Sequence, residues 1–192
     1  MPDDWKTRLT QTLEPVLMQP DPRPQLSAYH DLPYALFQYP PDQEFPLRQE
    51  LALLRTRLEQ AGKRITTISL AECLTAALDA DEMPTEILVQ DEQAVGLDTV
   101  IDTVSQILSE SQPLHRRVID RFPANPDPQR DLVFIVRVGA LFPFYRTSPL
   151  PEQMKGQLQL PTVLFYPGDR DGMGLRFMGL LDADYNYRCK IF

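Results

Sequence analysis

The sequence predicts an α/β fold with a mostly parallel central sheet of about five strands and helices on both faces. Short, almost continuously apolar runs, which are typical of strands covered on both faces, alternate along the chain with segments whose apolar residues recur at helical spacing. The chain has 192 residues, 43% of them hydrophobic, which is enough for one domain with a sizeable core. A three-layer arrangement like that of a degenerate P-loop domain is one form that this order of elements allows.

The N-terminal part is predicted to be an appendage. Residues 4–18 carry apolar side chains at the spacing of one helix face: Trp5, Leu9, Leu13, Val16 and Leu17. Three alternating prolines in residues 19–24 then disfavour helix and favour an extended tether. We therefore divide the chain into an N-terminal helix with its tether (residues 1–32) and a single α/β domain (residues 33–192).

The domain opens with a strand, a helix, a strand and a helix. The apolar run 33–39 predicts a buried strand, and a leucine-rich helix follows from Glu44 to a C-cap at Gly62. Residues 64–69 predict the second strand. Its end supplies Ser69–Glu72, which has capping-box spacing and starts the second helix.

The middle of the chain is harder to assign. Residues 79–95 are acidic and are predicted to be irregular, whereas Asp98–Glu110 has the apolar spacing of a clear helix. One or two further helical turns are predicted over Pro113–Arg121. Three prolines make 123–130 a connector.

The remaining strands lie in the C-terminal third. Residues 131–138 give the strongest strand signal, and 162–166 predict another buried strand. Between them, Ser148-Pro149 is placed to start a short helix. Asp171-Gly172 then turns the chain into an edge strand or hairpin partner over 175–179.

Charge is unevenly placed along the chain. The formal net charge is −8, but no Lys or Arg occurs between Arg64 and Arg116, where ten carboxylates fall. These ten are Glu72, Asp79, Asp81, Glu82, Glu86, Asp91, Glu92, Asp98, Asp102 and Glu110. Removing them leaves 17 acidic against 19 basic residues elsewhere. The acidic segment is either a solvated surface or a docking surface for a basic partner. Direct DNA binding by the chain alone is not expected, because no Lys/Arg cluster is large enough to dominate.

No cofactor-binding motif is visible. Residues 39–44 follow the first predicted strand and contain two prolines where a nucleotide-binding loop carries glycines, and neither GxxxxGK[ST] nor GxGxxG occurs. The two histidines, His30 and His115, and the two distant cysteines have no zinc-site spacing. Cys73 lies on an apolar helix face and is interpreted as a packing residue. We expect no catalytic, cofactor-binding or metal-binding residues, a cytoplasmic location and no contact with a membrane.

Asp169 and Asp171 form the one pair of carboxylates that follows a predicted strand closely. Such a pair can bind Mg²⁺, which would suit a metal-dependent phosphatase or nuclease. Pro167 and Gly168 separate the pair from the strand, and glycines flank it, so a turn is the commoner meaning of these residues.

A second candidate region follows the strongest strand. Arg137 stands in an apolar run and is expected to pair with an aspartate at the sheet edge or to contact an anion or a partner. Phe142, Phe144, Tyr145 and Arg146 belong to residue types enriched in interface hot spots, so all five residues are candidate partner contacts. The alternative is that the rings complete the core beneath the next helix.

Several blocks are similar to signature blocks of the BrxB family. They are Leu36–Pro40, Val136–Ser148, Pro161–Gly168, Asn186–Arg188 and Lys190–Phe192. The likeness is strongest after Asp131. The family belongs to BREX, the bacteriophage-exclusion defence systems of bacteria and archaea.

The resemblance implies an accessory protein encoded beside a DNA methyltransferase (PglX), an alkaline-phosphatase-like protein (PglZ) and a large AAA-type ATPase (BrxC). It carries over no catalytic residues. We therefore expect a non-enzymatic interaction protein with PglZ as the first candidate partner and BrxC or PglX as others. The alternatives are a cryptic metal-dependent phosphatase or nuclease and a degenerate nucleotide-sensing domain.

Overall fold

A six-stranded sheet forms the centre of the structure, a computed structural model that describes residues 4–27, 32–172, 174–185, 187 and 189–192. The strands are β1 (Tyr34–Tyr39), β2 (Arg64–Ser69), β3 (Asp131–Val136), β4 (Thr162–Asp171), β5 (Gly174–Phe177) and β6 (Lys190–Ile191). The order is β2-β3-β4-β1-β6, with every neighbouring pair parallel. β5 pairs antiparallel with the extended end of β4. The mostly parallel sheet predicted from the sequence is confirmed.

Nine α-helical segments occur in the described residues. They are α1 (Trp5–Arg8), α2 (Glu14–Leu17), α3 (Arg23–Leu26), α4 (Glu44–Gln60), α5 (Leu70–Ala80), α6 (Thr85–Val95), α7 (Leu97–Gln106), α8 (Leu114–Ile119) and α9 (Leu150–Gln153). π-helical turns at Leu9–Leu13 and Ile107–Ser111 extend α1 and α7. Short 3₁₀ turns follow β1 at Pro41–Gln43 and β3 at Val138–Leu141.

The helices cover both faces of the sheet, because strand side chains alternate between two cores. On one face α1, α2, α3 and α4 pack with Phe37, Phe134 and Phe165. On the other, α5, α7, α8 and α9 pack with Ile135 and Leu164. The chain therefore has three layers, as predicted, and the alternation is the period-2 geometry of a strand.

The N-terminal segment contributes to the first of these cores. Leu9, Leu13 and Leu17 are fully buried in it. The extended tether predicted for 19–24 is wrong at its end, because α3 begins at Arg23 with a proline in its first turn. A proline is tolerated there because a first-turn N–H needs no helical partner. The division into residues 1–32 and 33–192 stays a prediction.

The expectation of an irregular segment over 79–95 is also wrong. Pro84 precedes the helix α6, and Gly96, with φ of 91°, ends it. A proline at the start and a glycine just past the end are recognised boundary signals. Residues 85–95 of the segment are therefore helical, although none of their side chains is fully buried.

The C-terminal predictions need two corrections. β3 ends at Val136 rather than Val138, because Arg137 adopts a left-handed conformation with φ of 62°. β4 does not stop at Tyr166 but continues to Asp171, because residues 168–171 pair with β5 in a hairpin. Among the described residues, no helix has the length and apolarity needed to cross a bilayer.

Candidate functional site

A helix that buries none of its own residues stands out on the face formed by the acidic segment. α6 has no buried residue along its 11 positions. Four large apolar side chains are exposed on α6 and at the start of α7: Ile87, Val89, Val95 and Leu97, which are 38–58% exposed. Carboxylates at Glu86, Asp91, Glu92 and Asp98 lie among them. We call residues 85–98 the acidic surface.

The acidic surface rests on the body through few contacts. Leu88 and Met83 are partly buried against the second core, whereas Val100 is the first buried residue of α7. The surface is therefore held in place by the body yet leaves apolar area in contact with water. Large exposed apolar patches rimmed by polar residues mark protein-binding sites, whereas single exposed apolar residues are normal on any protein surface.

A second candidate site lies at the carboxyl edge of the sheet. The hydroxyl of Tyr39, at the end of β1, donates a hydrogen bond to Glu44, and Nε of Arg48 donates to the other carboxylate oxygen at 2.9 Å. Nε of Arg137 lies 3.8 Å from that same oxygen. Burial, reinforced by the hydrogen bond to Glu44, raises the pKa of Tyr39 well above its usual value, so its hydroxyl remains a donor.

The structure places Arg137 differently from the sequence prediction. Its side chain is 42% exposed at the end of β3 and contacts a glutamate, not an aspartate. Sequence reasoning missed Glu44 and Arg48 as its neighbours. The i, i+4 spacing of Glu44 and Arg48 on α4 indicates that these two side chains can pair with each other. Nothing in the nearby sequence indicates that Arg137, about ninety positions later, lies beside them.

Phe142, Phe144, Tyr145 and Arg146 follow the 3₁₀ turn after β3, and their burial differs. Tyr145 is 7% exposed, and its hydroxyl donates to Oε1 of Gln153 at 3.0 Å. Phe142 packs edge-on against Phe177 at 5.9 Å.

The other two residues are less buried than Tyr145. Phe144 is partly buried against the core, and Arg146 donates to the main-chain oxygen of Asp182 at 3.0 Å. The geometry favours packing for Tyr145. Partner contact by Arg137, Phe142, Phe144 and Arg146 stays a prediction.

Asp169 and Asp171 lie on the exposed end of the β4–β5 hairpin. In the strand register, Asp169 faces Arg176 and Asp171 faces Gly174. Across the described part of the chain, no group of three or more His, Cys, Asp and Glu residues is arranged to hold a metal ion. The predicted turn is therefore the exposed end of a hairpin, in which Asp169 and Asp171 lie two positions apart on the same face of β4.

Among the described residues, the two cysteines and His115 add no further cluster. Cys73 is fully buried, and burial raises the pKa of its thiol, as suits a packing residue. Burial raises the pKa of Cys189 to about 12. His115 is partly exposed on α8. His30, like Asn186 and Arg188 in the resemblance, lies outside the described residues.

Comparison with known proteins agrees with the sequence resemblance. A family model described as BREX protein BrxB matches residues 66–191. A protein named BREX protein BrxB from Bacillus cereus (strain H3081.97) is 25% identical over 164 residues, which cover 83% of this chain and 82% of the relative. No solved structure matches the chain. The matched region runs from within β2 to β6 and includes the acidic surface and Arg137 but not Tyr39, Glu44 or Arg48. The chain belongs to the BrxB family of BREX proteins.

Proposed function

We propose that this chain is a non-enzymatic interaction protein of BREX antiphage defence and that it binds another BREX protein through the acidic surface. The observation that carries the proposal is α6, a helix with no buried residue that exposes apolar side chains among carboxylates. Family membership supplies the biological setting.

The apolar side chains that the acidic surface leaves in contact with water can contribute free energy to association. Each large aliphatic side chain contributes roughly 1.5–3 kcal/mol when it passes from exposed to buried. Ile87, Val95 and Leu97 are 38–58% exposed, so a partner that covers them gains only part of that contribution from each. Because the intact protein leaves them exposed, that contribution remains available for association.

Charge defines the partner's chemistry. The acidic surface carries four carboxylates within a longer stretch, residues 65–115, that has ten carboxylates and no Lys or Arg. It therefore attracts a basic partner and repels acidic ones, including nucleic acid. The partner we propose is PglZ, presenting a patch of Lys or Arg beside apolar residues. BrxC and PglX are the other BREX components that such a patch could belong to.

The non-enzymatic part of the proposal is supported by the placement of the residues with catalytic potential. The carboxylates of Asp169 and Asp171 lie on an exposed hairpin, Cys73 is buried in a core, and Glu44 is engaged by Tyr39 and Arg48. General acid–base or metal catalysis needs such groups to converge on one reacting atom.

Co-purification tests the proposal. A tagged chain is isolated from cells that express the complete BREX operon, and bound proteins are identified by mass spectrometry. We expect PglZ to be retained by the unaltered chain and lost from the double variant Ile87→Ser with Val95→Ser.

Leu53→Ser is the matched control, because Leu53 is 55% exposed on α4, away from the acidic surface. It should retain PglZ. Equal PglZ recovery from the double variant and from the control would contradict the proposal.

A further inference from the structure

Two cavities at the carboxyl edge of the sheet share three charged lining residues. One, of about 360 Å³, lies between α4 and the ends of β2 and β3. The other, of about 200 Å³, lies between α4 and the turn after β3. Glu44, Arg48 and Arg137 line both. We propose that this groove binds a small ligand with a flat apolar body and a singly phosphorylated head, that is, a nucleoside monophosphate.

Arg137 supplies the anion-binding group. Within the described part of the chain its guanidinium makes no hydrogen bond, and its Nε lies 3.8 Å from a Glu44 carboxylate oxygen. A guanidinium presents a planar fork of donors that matches a phosphate or carboxylate. Those donors are available to a ligand.

The backbone at Arg137 strengthens this assignment. The residue is left-handed, with φ of 62° and ψ of 35°, a conformation that glycine adopts without strain and that arginine disfavours. Strained backbone tends to persist where it positions a functional side chain. The left-handed conformation turns the chain at the end of β3 and places Arg137 where it lines both cavities.

The floor of the groove suits an apolar ring. On the side of α4 the groove is lined by Leu47 and Leu51. On the side of the sheet it is lined by Phe134 and Phe165, whose ring centroids are 5.3 Å apart. Small-ligand sites are mostly apolar with a few convergent polar groups, and their usual volumes begin near roughly 300 Å³. A base fits the floor while its phosphate reaches the rim.

Charge on the rim limits the ligand to one phosphate. Of the three arginines that line the groove, Arg48 is paired with Glu44 and Arg55 with Glu59. Among the described residues, Arg137 is the one of the three whose guanidinium makes no hydrogen bond. Pro40 and Pro41 also lack the N–H groups with which a phosphate-binding loop cradles a polyphosphate. A triphosphate would therefore meet too few donors and two carboxylates.

The position of the groove in the fold agrees with a ligand site. The chain leaves β1 toward α4 on one face of the sheet and leaves β3 toward α9 on the other. Ligands of open α/β sheets bind outside the carboxyl ends of the strands, and the groove lies at that edge, where β4 separates β1 from β3. Glu44 and Arg137 stand on its two sides.

The groove and the acidic surface are different parts of the molecule, so this inference stands apart from the proposed partner binding. Its test uses the full chain, titrated with AMP, GMP, CMP and UMP and followed by thermal shift and calorimetry. Adenosine, inorganic phosphate and ATP are the comparison probes. We expect one or more monophosphates to bind more tightly than all three.

Arg137→Gly is the decisive variant, because glycine keeps the left-handed backbone while removing the guanidinium. It should fold normally and lose about tenfold or more in affinity for the monophosphate. Arg170→Ala, at an exposed position on the hairpin, should bind as the unaltered chain does. Any of three results would overturn the inference: no binding of any monophosphate at millimolar concentration, equal affinity for inorganic phosphate, or undiminished binding by folded Arg137→Gly.

Discussion

The guanidinium of Arg8 donates a hydrogen bond to the main-chain oxygen of Phe192, 2.6 Å away, and so joins α1 to the residue that follows the edge strand β6. The same group donates to the main-chain oxygen of Gln38 in β1 at 2.8 Å. The ring of Phe37 lies beneath the guanidinium at 5.2 Å. One side chain therefore holds the N-terminal helix against two parallel strands.

Arg8→Ala should lower the free energy of unfolding by about 2 kcal/mol, because it leaves partly buried carbonyl oxygens without their charged donor. Chemical denaturation measures the change. Lys6→Ala is the matched control on the same helix, since Lys6 makes an exposed ion pair with Glu50 that should contribute under about 1 kcal/mol. Equal unfolding midpoints for both variants would contradict this role of Arg8.

The sequence predicts the strands that are buried on both faces, because burial requires nearly every residue in them to be apolar. The apolar runs that form β1, β3 and β4 are covered on both faces, so their composition alone identifies them. α6 escaped prediction because its apolar residues are not on a core-facing stripe. Pro84 and Gly96 carried the remaining signal for its boundaries.

The groove could not have been assembled from the sequence. β1 and β3 are separated in the sheet by β4, and only the strand order brings Glu44 near Arg137. The end of β3 was also misplaced, because a left-handed arginine has no sequence signal comparable to that of glycine. The expected aspartate partner of Arg137 is wrong, because Glu44 lies there instead, whereas contact with an anion or a partner stays a prediction.

Asp169→Asn combined with Asp171→Asn should leave phage defence intact, because both carboxylates lie on an exposed hairpin. Plating efficiency of phage on cells carrying the BREX operon measures this. Loss of defence by a folded, normally expressed double variant would instead favour the metal-dependent phosphatase or nuclease.

The purified chain should bind duplex DNA no better than non-specifically, since its net charge of −8 opposes contact with phosphates. Fluorescence anisotropy at physiological salt checks this. Submicromolar affinity for duplex DNA would show that the acidic surface does not govern what the chain binds.

Tyr145→Ala should lower the free energy of unfolding by about 3 kcal/mol, because it removes a buried ring and the hydrogen bond to Gln153. Thermal denaturation should show the loss directly. A variant that melts like the unaltered chain would show that the ring is not part of the core.

Arg146→Ala separates partner contact from packing at the neighbouring position. Because Arg146 is partly exposed and bonds one carbonyl, the variant should change stability by less than about 1 kcal/mol. If Arg146 is an interface hot spot, affinity for the BREX partner should fall by about 2 kcal/mol. Unchanged affinity in a stable variant would remove Arg146 from the candidate contacts.

Calorimetric titration of the purified chain into PglZ tests the central claim most directly. The comparison is between Glu86→Gln with Glu92→Gln on the acidic surface and Asp169→Asn with Asp171→Asn on the hairpin, which change the net charge equally. We expect the dissociation constant of the unaltered complex to rise with salt. The acidic-surface variant should raise the dissociation constant about tenfold, and the hairpin variant should leave it unchanged. Equal affinity of the two variants for PglZ, or no binding by the unaltered chain, would contradict it.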